Sequence, residues 1–390
     1  MDSLGHHTSG ADVDLVGAAF QAQLALISSN LFSTYLMALA AHHRGLPVTF
    51  VKSLRNISAR WQKLADFELP KSFIVAHGHH THSFNITIGD RTGLTAALLA
   101  GDKNRTKLML ARAGLPVSAG ISVKAQEFRK ARGMMAAHPD ARFVLKPIAG
   151  SLGKGVHNGL AAQEVFDLLS IKTIPEMVLE VQVSGNEYRA FVVGNRVAAA
   201  FQRWPAQVVG NGRDSIAVLI ASKNRQRAQN LNLVNKLINP LDAAKLLAIR
   251  QRRMTDIPVL GERVLLADAA NTASGGDIED ATHHLPEAAA AIAVAAARVV
   301  GLPTAGVDLF HDPQTNSVVV LELNSRPQIG GHSFPSRGTG SGNVVAEAVM
   351  DFYFPATAAF PRQPGRVLDM KAVVDAFAAG APGVTVPPPV

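Results

Sequence analysis

Cysteine is absent from the chain. That excludes disulfides, thiolate metal sites and a cysteine nucleophile, and it fits a reducing compartment. Aromatic residues are few, 6% of the chain as 17 Phe, three Tyr and two Trp, which leaves limited stacking surface of the kind nucleic-acid grooves use. Charged residues are sparse beside hydrophobic ones, 17% against 47%, the balance of a globular chain and not of a disordered one. Long apolar runs are lacking as well. The longest lies in Ala288–Ala297 and is cut by Arg298, too short to span a bilayer. The first residues, Met1-Asp2-Ser3-Leu4-Gly5-His6-His7, lack the basic-then-apolar layout of a secretory leader. The expectation is a cytoplasmic protein with no membrane attachment, long enough for two or three domains.

Charge is the first positive signal. There are 38 basic and 30 acidic residues, a net charge of +8. Such an excess suits nucleic acid, or a groove that draws in anionic small molecules. The basic residues are dispersed along the chain, and this favours the groove.

Alanine- and leucine-rich sequence from Val13 to Arg44 reads as helix, and Leu46–Val51 as strand, so the N-terminal region is expected to be α/β. Ser72–Val75 is another strand candidate, followed by the histidine cluster His77, His79, His80 and His82. No carboxylate pattern accompanies it, so a polar turn is favoured over a metal site, with a substrate-contacting loop as a third reading. Lys103 lies at the start of a helix that Gly114 and Pro116 stop. Tyr188–Val193, Gly194-Asn195 and Arg196–Phe201 read as a hairpin. The alanine-rich stretch Pro286–Val300 reads as helix.

Three patterns carry chemistry. In the first, the segments Gly306–Phe310 and Val318–Asn324 flank the turn-forming cluster Asp312–Asn316, which predicts a β-hairpin. Folding it about Thr315 sets Asp308 opposite Glu322, and Asn324 shares the face of Glu322. Val307, Leu309, Leu321 and Leu323 are then expected on the apolar face. Two carboxylates and an amide oxygen on one surface make either a solvated acidic face or an oxygen-ligand site of the kind Mg²⁺ uses beside nucleotide phosphates.

The second pattern is Lys146 and Pro147 at a strand end, running into a glycine-rich loop with Gly150, Ser151, Gly153, Lys154 and Gly155. Glycines let backbone N–H groups approach phosphate oxygens, and successive amides form an anion nest. The spacing fits neither the Gly-Lys-Ser/Thr phosphate loop nor the dinucleotide fingerprint. The third is the strand Met177–Val183, broken at Gly185 and followed by Glu187. A strand end can read an adenine edge, and a carboxylate just beyond it can accept both ribose hydroxyls. A surface glutamate is the plainer reading of Glu187.

In their order along the chain these pieces resemble the ATP-grasp superfamily, from about Gly89 to Pro355. The stretches Asp102–Lys107, Glu187–Val193, Pro205–Gly212 and Asn271–Asp277 are similar to the ligase domains of cyanophycin synthetase and bifunctional glutathione synthetase. The resemblance implies an α/β (α+β) ATP-grasp fold, with ATP held between two α+β subdomains. Residues 1–100 would form an α/β substrate-side domain, 101–185 the central lid subdomain, 186–355 the metal-bearing subdomain, and 356–390 a tail or appended element. It also implies roles. Lys103 and Lys146 would contact ATP phosphates, with Ser151, Gly153, Lys154 and Gly155 in a lid. Glu180 with the backbone of Val181 and Val183 would hold adenine, and Glu187 the ribose. Asp308, Glu322 and Asn324 would bind two Mg²⁺, with Mn²⁺ as an alternative. Arg189, Arg203, Asn271 and Arg326 would sit near the acyl phosphate or the substrate carboxylate.

The implied activity is ATP-dependent joining of a carboxylate to an amine on amino acids or small peptides, releasing ADP and phosphate. Family analogy adds a homo-oligomer, and neither nucleic acid nor membrane is an expected partner. A small-molecule kinase and a non-catalytic ATP-binding regulator are the alternatives. Departures from the family pattern bear on the product. Gly306 stands where D-alanine–D-alanine ligases carry arginine, about a hundred residues cannot hold a cysteine-ligating domain, and the chain is expected to lack a second ATP-using domain. A stand-alone ligase with its own substrate pair is the expectation.

Overall fold

The computed structural model describes residues 31–51, 71–148, 155–363 and 367–387. They fall into two compact units, one drawn from residues 1–91 with 326–334 and 339–390, the other from 92–325 with 335–338. Every strand ladder among the described residues is antiparallel, and the architecture is α+β.

The first unit is a five-stranded sheet beside the helix α1, Phe32–His43. Strand β1 is Val48–Val51, β2 Ser72–His77, β3 His80–Asn85 and β4 Ile88–Gly89. Every residue of α1 is buried, Ser33, Thr34, His42 and His43 included. Residues 13–30, also read as helix, lie outside the described ones. Phe50, Phe73, Phe84 and Tyr353 pack ring against ring in the core. Of the histidine cluster only His79 lies in the turn between β2 and β3; His77 ends β2, and His80 and His82 belong to β3. Gly78 takes φ 58° in that turn, and His82 Nδ1 lies 2.9 Å from Asp90 Oδ1. Far along the chain, the helices α9 (Val344–Tyr353) and α10 (Met370–Ala378) belong to the same unit. The last strand, β16 (Gly383–Val386), pairs with β1, Val386 opposite Val48.

The second unit has two sheets and a ribbon. Helices α2 (Leu94–Gly101) and α3 (Lys103–Arg112) open it. Asp102 caps α3, its Oδ1 accepting from the N–H groups of Asn104 and Arg105, which satisfies two orphan donors of the first turn. The four-stranded sheet runs β5-β8-β6-β7, where β5 is Gly120–Val123, β6 Phe143–Pro147, β7 His157–Leu160 and β8 Met177–Val181. The helices α4 (Phe128–Ala136) and α5 (Ala162–Ser170) share its core with Val123, Leu145 and Leu179.

The five-stranded sheet runs β13-β10-β9-β14-β15. Its strands are β9 (Asn186–Val193), β10 (Arg196–Trp204), β13 (Asp277–Asp280), β14 (Thr304–Asp312) and β15 (Ser317–Asn324). A pair of short strands, β11 (Gln207–Val209) and β12 (Arg263–Leu265), forms the ribbon. It packs with α6 (Ile216–Ala228) and α7 (Pro240–Ile249) around Val208, Ile220, Leu247 and Val264. Helix α8 (Glu287–Val300) buries Ala289, Ala293, Ala296, Ala297 and Val300, an apolar stripe at helical spacing. Tyr188, Ala190, Val192, Val307 and Leu309 join that core, so the alternate residues Glu187, Arg189 and Asp308 leave the sheet on its other side.

The β14–β15 hairpin departs from simple symmetry at one point. Asp308 stands opposite Glu322 as expected, but Leu309 pairs with Val320 and the register shifts between them. Leu321 is the extra residue of a bulge and is only half-buried. Val318 and Val320 fill the core positions instead. The expectation that Leu321 shares the apolar face is corrected accordingly. A bulge frequently re-aims side chains beside a functional site, and this one follows directly after Asp308.

Candidate active site

Strand register assembles the acidic face. Glu322 on β15 faces Asp308 on β14, and Asp308 faces Arg189 on β9. Next along, Glu187 faces Arg203 on β10. The Nε and NH2 of Arg189 donate to both oxygens of Asp308, at 2.5 and 2.6 Å. Arg203 NH1 donates to Asp308 at 3.1 Å and to Glu187 at 2.7 Å. Lys103, at the start of α3, reaches Glu322 at 2.9 Å. The Nδ2 of Asn324 donates to Glu322 at 3.3 Å.

Three cations therefore balance three carboxylates, and the carboxylates do not disperse. Burial alone would push the Asp308 carboxyl up, but Arg189 and Arg203 outweigh it and hold the group at about 2. Glu187 is raised by burial, with the Asp308 charge adding to the rise against Arg203. The Arg203 guanidinium is held more firmly protonated, because Asp308 and Glu187 outweigh its burial. A carboxylate oxygen has lone pairs left after one hydrogen bond, so Asp308, Glu322 and Asn324 retain capacity for a hard cation. Their oxygen-only donor set fits Mg²⁺ better than a soft metal.

A second charged group lies in the four-stranded sheet of the same unit. The Glu180 carboxylate accepts from Lys107 Nζ at 2.5 Å, Lys146 Nζ at 3.0 Å and Ser118 Oγ at 3.0 Å. Gly120 stands opposite Glu180, and a Cβ there would come 2.8 Å from Glu180 Cγ. The missing side chain makes room for the cluster. Burial works against ionised Glu180, yet the two lysines lower its titration. Burial pulls Lys107 down to about 8, and repulsion from Lys146 and Lys103 adds to this against the attraction of Glu180. Two lysines against one glutamate leave positive charge over, which suits a phosphate.

Lys107 was not among the sequence candidates. The available signal was its spacing from Lys103, one turn earlier on α3, which puts both on one helix face. Thus α3 sends one lysine to the acidic hairpin and the next to Glu180.

The remaining candidates are distributed differently. The N–H of Val181 donates to the carbonyl of Ala119 at 3.0 Å, so that donor is already used. Val183 lies just beyond the end of β8, half-buried. Gly155 takes φ 72° beside Pro147, whereas Ser151, Gly153 and Lys154 fall outside the described residues. Asn271 caps a short turn, its Oδ1 accepting from the N–H of Ala273 at 2.9 Å. Arg326 belongs to the first unit.

The fold is an ATP-grasp fold. Residues 266–340 match the RimK-like ATP-grasp domain, and the chain carries that domain. It is similar to cyanophycin synthetase of Geminocystis herdmanii, 30% identical over 295 residues that are 72% of this chain and 33% of that one. It is also similar to the glutathione biosynthesis bifunctional protein of Listeria innocua, 26% identical over 270 residues, 66% of this chain and 35% of the relative. Among solved structures, a bifunctional glutathione synthetase from Pasteurella multocida matches with a TM-score of 0.55 and 25% identity, over 73% of this chain and 40% of that one. The chain spans about a third of the length of the curated relatives it matches. Among the described residues no helix is long and apolar enough to cross a membrane.

Proposed function

We propose that the chain is an ATP-dependent carboxylate–amine ligase that forms an amide bond between amino acids or small peptides. The observation that carries this reading is the register that sets Asp308 against Glu322, with Asn324 beside them and Lys103, Arg189 and Arg203 around them. A charge-balanced cluster of this kind accepts a polyanion and its counter-cations together.

A carboxylate does not condense with an amine in water, because an oxide-like oxygen is a poor leaving group. In the proposed reaction the substrate carboxylate oxygen attacks the γ-phosphorus of ATP. The bond to the bridging oxygen breaks, ADP leaves, and an acyl phosphate forms. The amine then attacks the acyl carbon, phosphate departs and the amine loses a proton. Catalysis of the first step is mainly positioning and charge neutralisation. Lys103, Lys107 and Lys146 would neutralise phosphate oxygens. Arg189 and Arg203, fixed by Asp308 and Glu187, would hold the acyl phosphate. Asn271 is assigned the same neighbourhood from its sequence context, and Arg326, two residues beyond Asn324, from its position alone. Asp308, Glu322 and Asn324 would hold two Mg²⁺, which when bound neutralise phosphate charge. The segment 150–155 would close over the nucleotide and keep water from the intermediate, with the backbone near Val181 and Val183 against adenine and Glu187 toward ribose. A cytoplasmic site and a homo-oligomer complete the reading, by analogy.

The test is an amino-acid matrix assay with ATP and Mg²⁺, reading ADP and new masses together. A product mass that needs both an acid and an amine, with free phosphate released, supports ligation. A phosphorylated product with no amine requirement, or no turnover across the matrix, overturns it.

A further inference from the structure

A cavity of about 400 Å³ lies in the second unit, lined by β11, α6, Asp277 of β13 and the segment Ser336–Arg337. Asp277 stands opposite Trp204 on β10. Arg203, which serves the acidic face, is the residue before Trp204, and consecutive strand residues leave on opposite sides. The cavity and the acidic face are therefore separate features of one strand.

Its charges are unevenly satisfied. Asp277 is 1% exposed, with Lys223 at 2.5 Å, Arg227 at 3.1 Å and Arg337 at 3.4 Å. Arg227 also donates to the carbonyls of Lys236, Thr272 and Gly276, so its guanidinium is a brace with most of its donors already used. Arg337 is held loosely, since its other carboxylate, Glu279, is 4.0 Å away. Its backbone is firmly placed nevertheless, because the N–H groups of Ser336 and Arg337 both donate to the carbonyl of Ile278. Three cations face two carboxylates, one positive charge in excess. Burial lowers the Lys223 ammonium, and Arg227 and Arg337 add to that lowering against Asp277.

Gln207 supplies an independent sign. It lines the cavity, is 2% exposed, and its Nε2 is buried without a hydrogen-bond partner. A buried donor left unpaired costs about 1–3 kcal/mol, and an acceptor oxygen in the cavity would remove that cost.

We propose that this cavity is a binding subsite for the carboxylate of a small organic or amino acid, held by Lys223, Arg337 and the Gln207 amide. A single excess positive charge matches a monoanionic carboxylate better than a doubly charged phosphate. The volume falls in the range of small-molecule sites, and Val208, Leu219 and Leu233 take the apolar stem. Binding here needs neither nucleotide nor metal, so its failure leaves the ligase reading untouched, and the reverse also holds.

The experiment is calorimetric titration of the full chain, without ATP or divalent metal, using L-glutamate, butyrate and inorganic phosphate as probes. At least one of the two organic acids is expected to bind. Gln207→Leu and Arg337→Gln are each expected to weaken it by roughly ten-fold, the worth of about one hydrogen bond to a charged group. Gln207→Leu is expected to unfold at or above the wild-type temperature, because it removes an unpaired buried donor. That result separates loss of a ligand contact from loss of fold. The proposal is overturned if neither acid binds up to millimolar concentration, if both variants bind as the wild type does, or if phosphate binds more tightly than either acid.

Discussion

Glu322→Gln is the substitution that best separates chemistry from stability in this protein. The side chains of Glu322 and Lys103 are each 29% exposed, and they meet at 2.9 Å. A pair so open to solvent contributes at most about 1 kcal/mol, and glutamine keeps the shape and one acceptor oxygen. A loss of that size lowers the melting temperature by about 2–4 °C in a protein unit of this length. Asp308→Asn would be a poorer choice. Asp308 is 2% exposed and is gripped by Arg189 and Arg203. Breaking a buried pair of that kind costs about 3–5 kcal/mol, so lost activity could reflect lost structure. For Glu322 the expected catalytic effect is far larger than the structural one. Removing one charge-stabilising group at a phosphoryl-transfer site costs about 3–4 kcal/mol, or roughly 10²–10³-fold in turnover. The assay pairs thermal unfolding of the ligand-free protein with phosphate release on the substrate pair found in the matrix assay. Turnover within about three-fold of wild type, by an ordinarily folded variant, would refute the role assigned to Glu322.

Other predictions follow from the same geometry. Lys146→Ala is expected to weaken ATP binding roughly ten- to hundred-fold by calorimetry while the fold persists, because Glu180 keeps Lys107 as partner. Unchanged nucleotide affinity would remove Lys146 from the phosphate site. Asp308 is held at about 2 against an ordinary 3.8, a depressed carboxylate. Its contribution, about 2 kcal/mol, is present above pH 4 and lost as the pH falls toward 2. Urea unfolding of chelator-treated protein is expected to show that acid limb, and Asp308→Asn to flatten it. Gly185→Ala is expected to cost about 2 kcal/mol or more. Gly185 takes φ 136°, and a Cβ would meet the His311 carbonyl oxygen at 2.6 Å, so a wild-type melting temperature would contradict the backbone described.

Much of the acidic hairpin was legible in the sequence because its signals are local. A turn cluster fixes where the strands reverse, and the two-residue period fixes which side chains share a face. Symmetry about Thr315 reads Asp308 against Glu322, whereas the ladder beside the turn pairs Asp312 with Ser317 and Leu309 with Val320, and the extra residue Leu321 restores the expected pairing. The bulge at Leu321 was not legible, since an extra residue leaves the sequence pattern nearly unchanged while moving Val320 into the core. Nor were the arginine partners. Arg189 meets Asp308 because β9 lies beside β14, a pairing between segments over a hundred residues apart. The same holds for Glu180. Its place on a strand could be read, but its enclosure by Lys107, Lys146 and Ser118 depends on how α3 packs. The return of β16 to β1 is likewise a long-range fact that a proline-rich tail did not announce.

The most direct measurement is a crystal structure of the chain with Mg²⁺ and a non-hydrolysable ATP analogue. Metal ions are expected about 2.0–2.1 Å from carboxylate oxygens of Asp308 and Glu322, with Asn324 alongside and Lys146 on a phosphate oxygen. Nucleotide bound away from the β14–β15 hairpin, with no metal at Asp308 or Glu322, would contradict this.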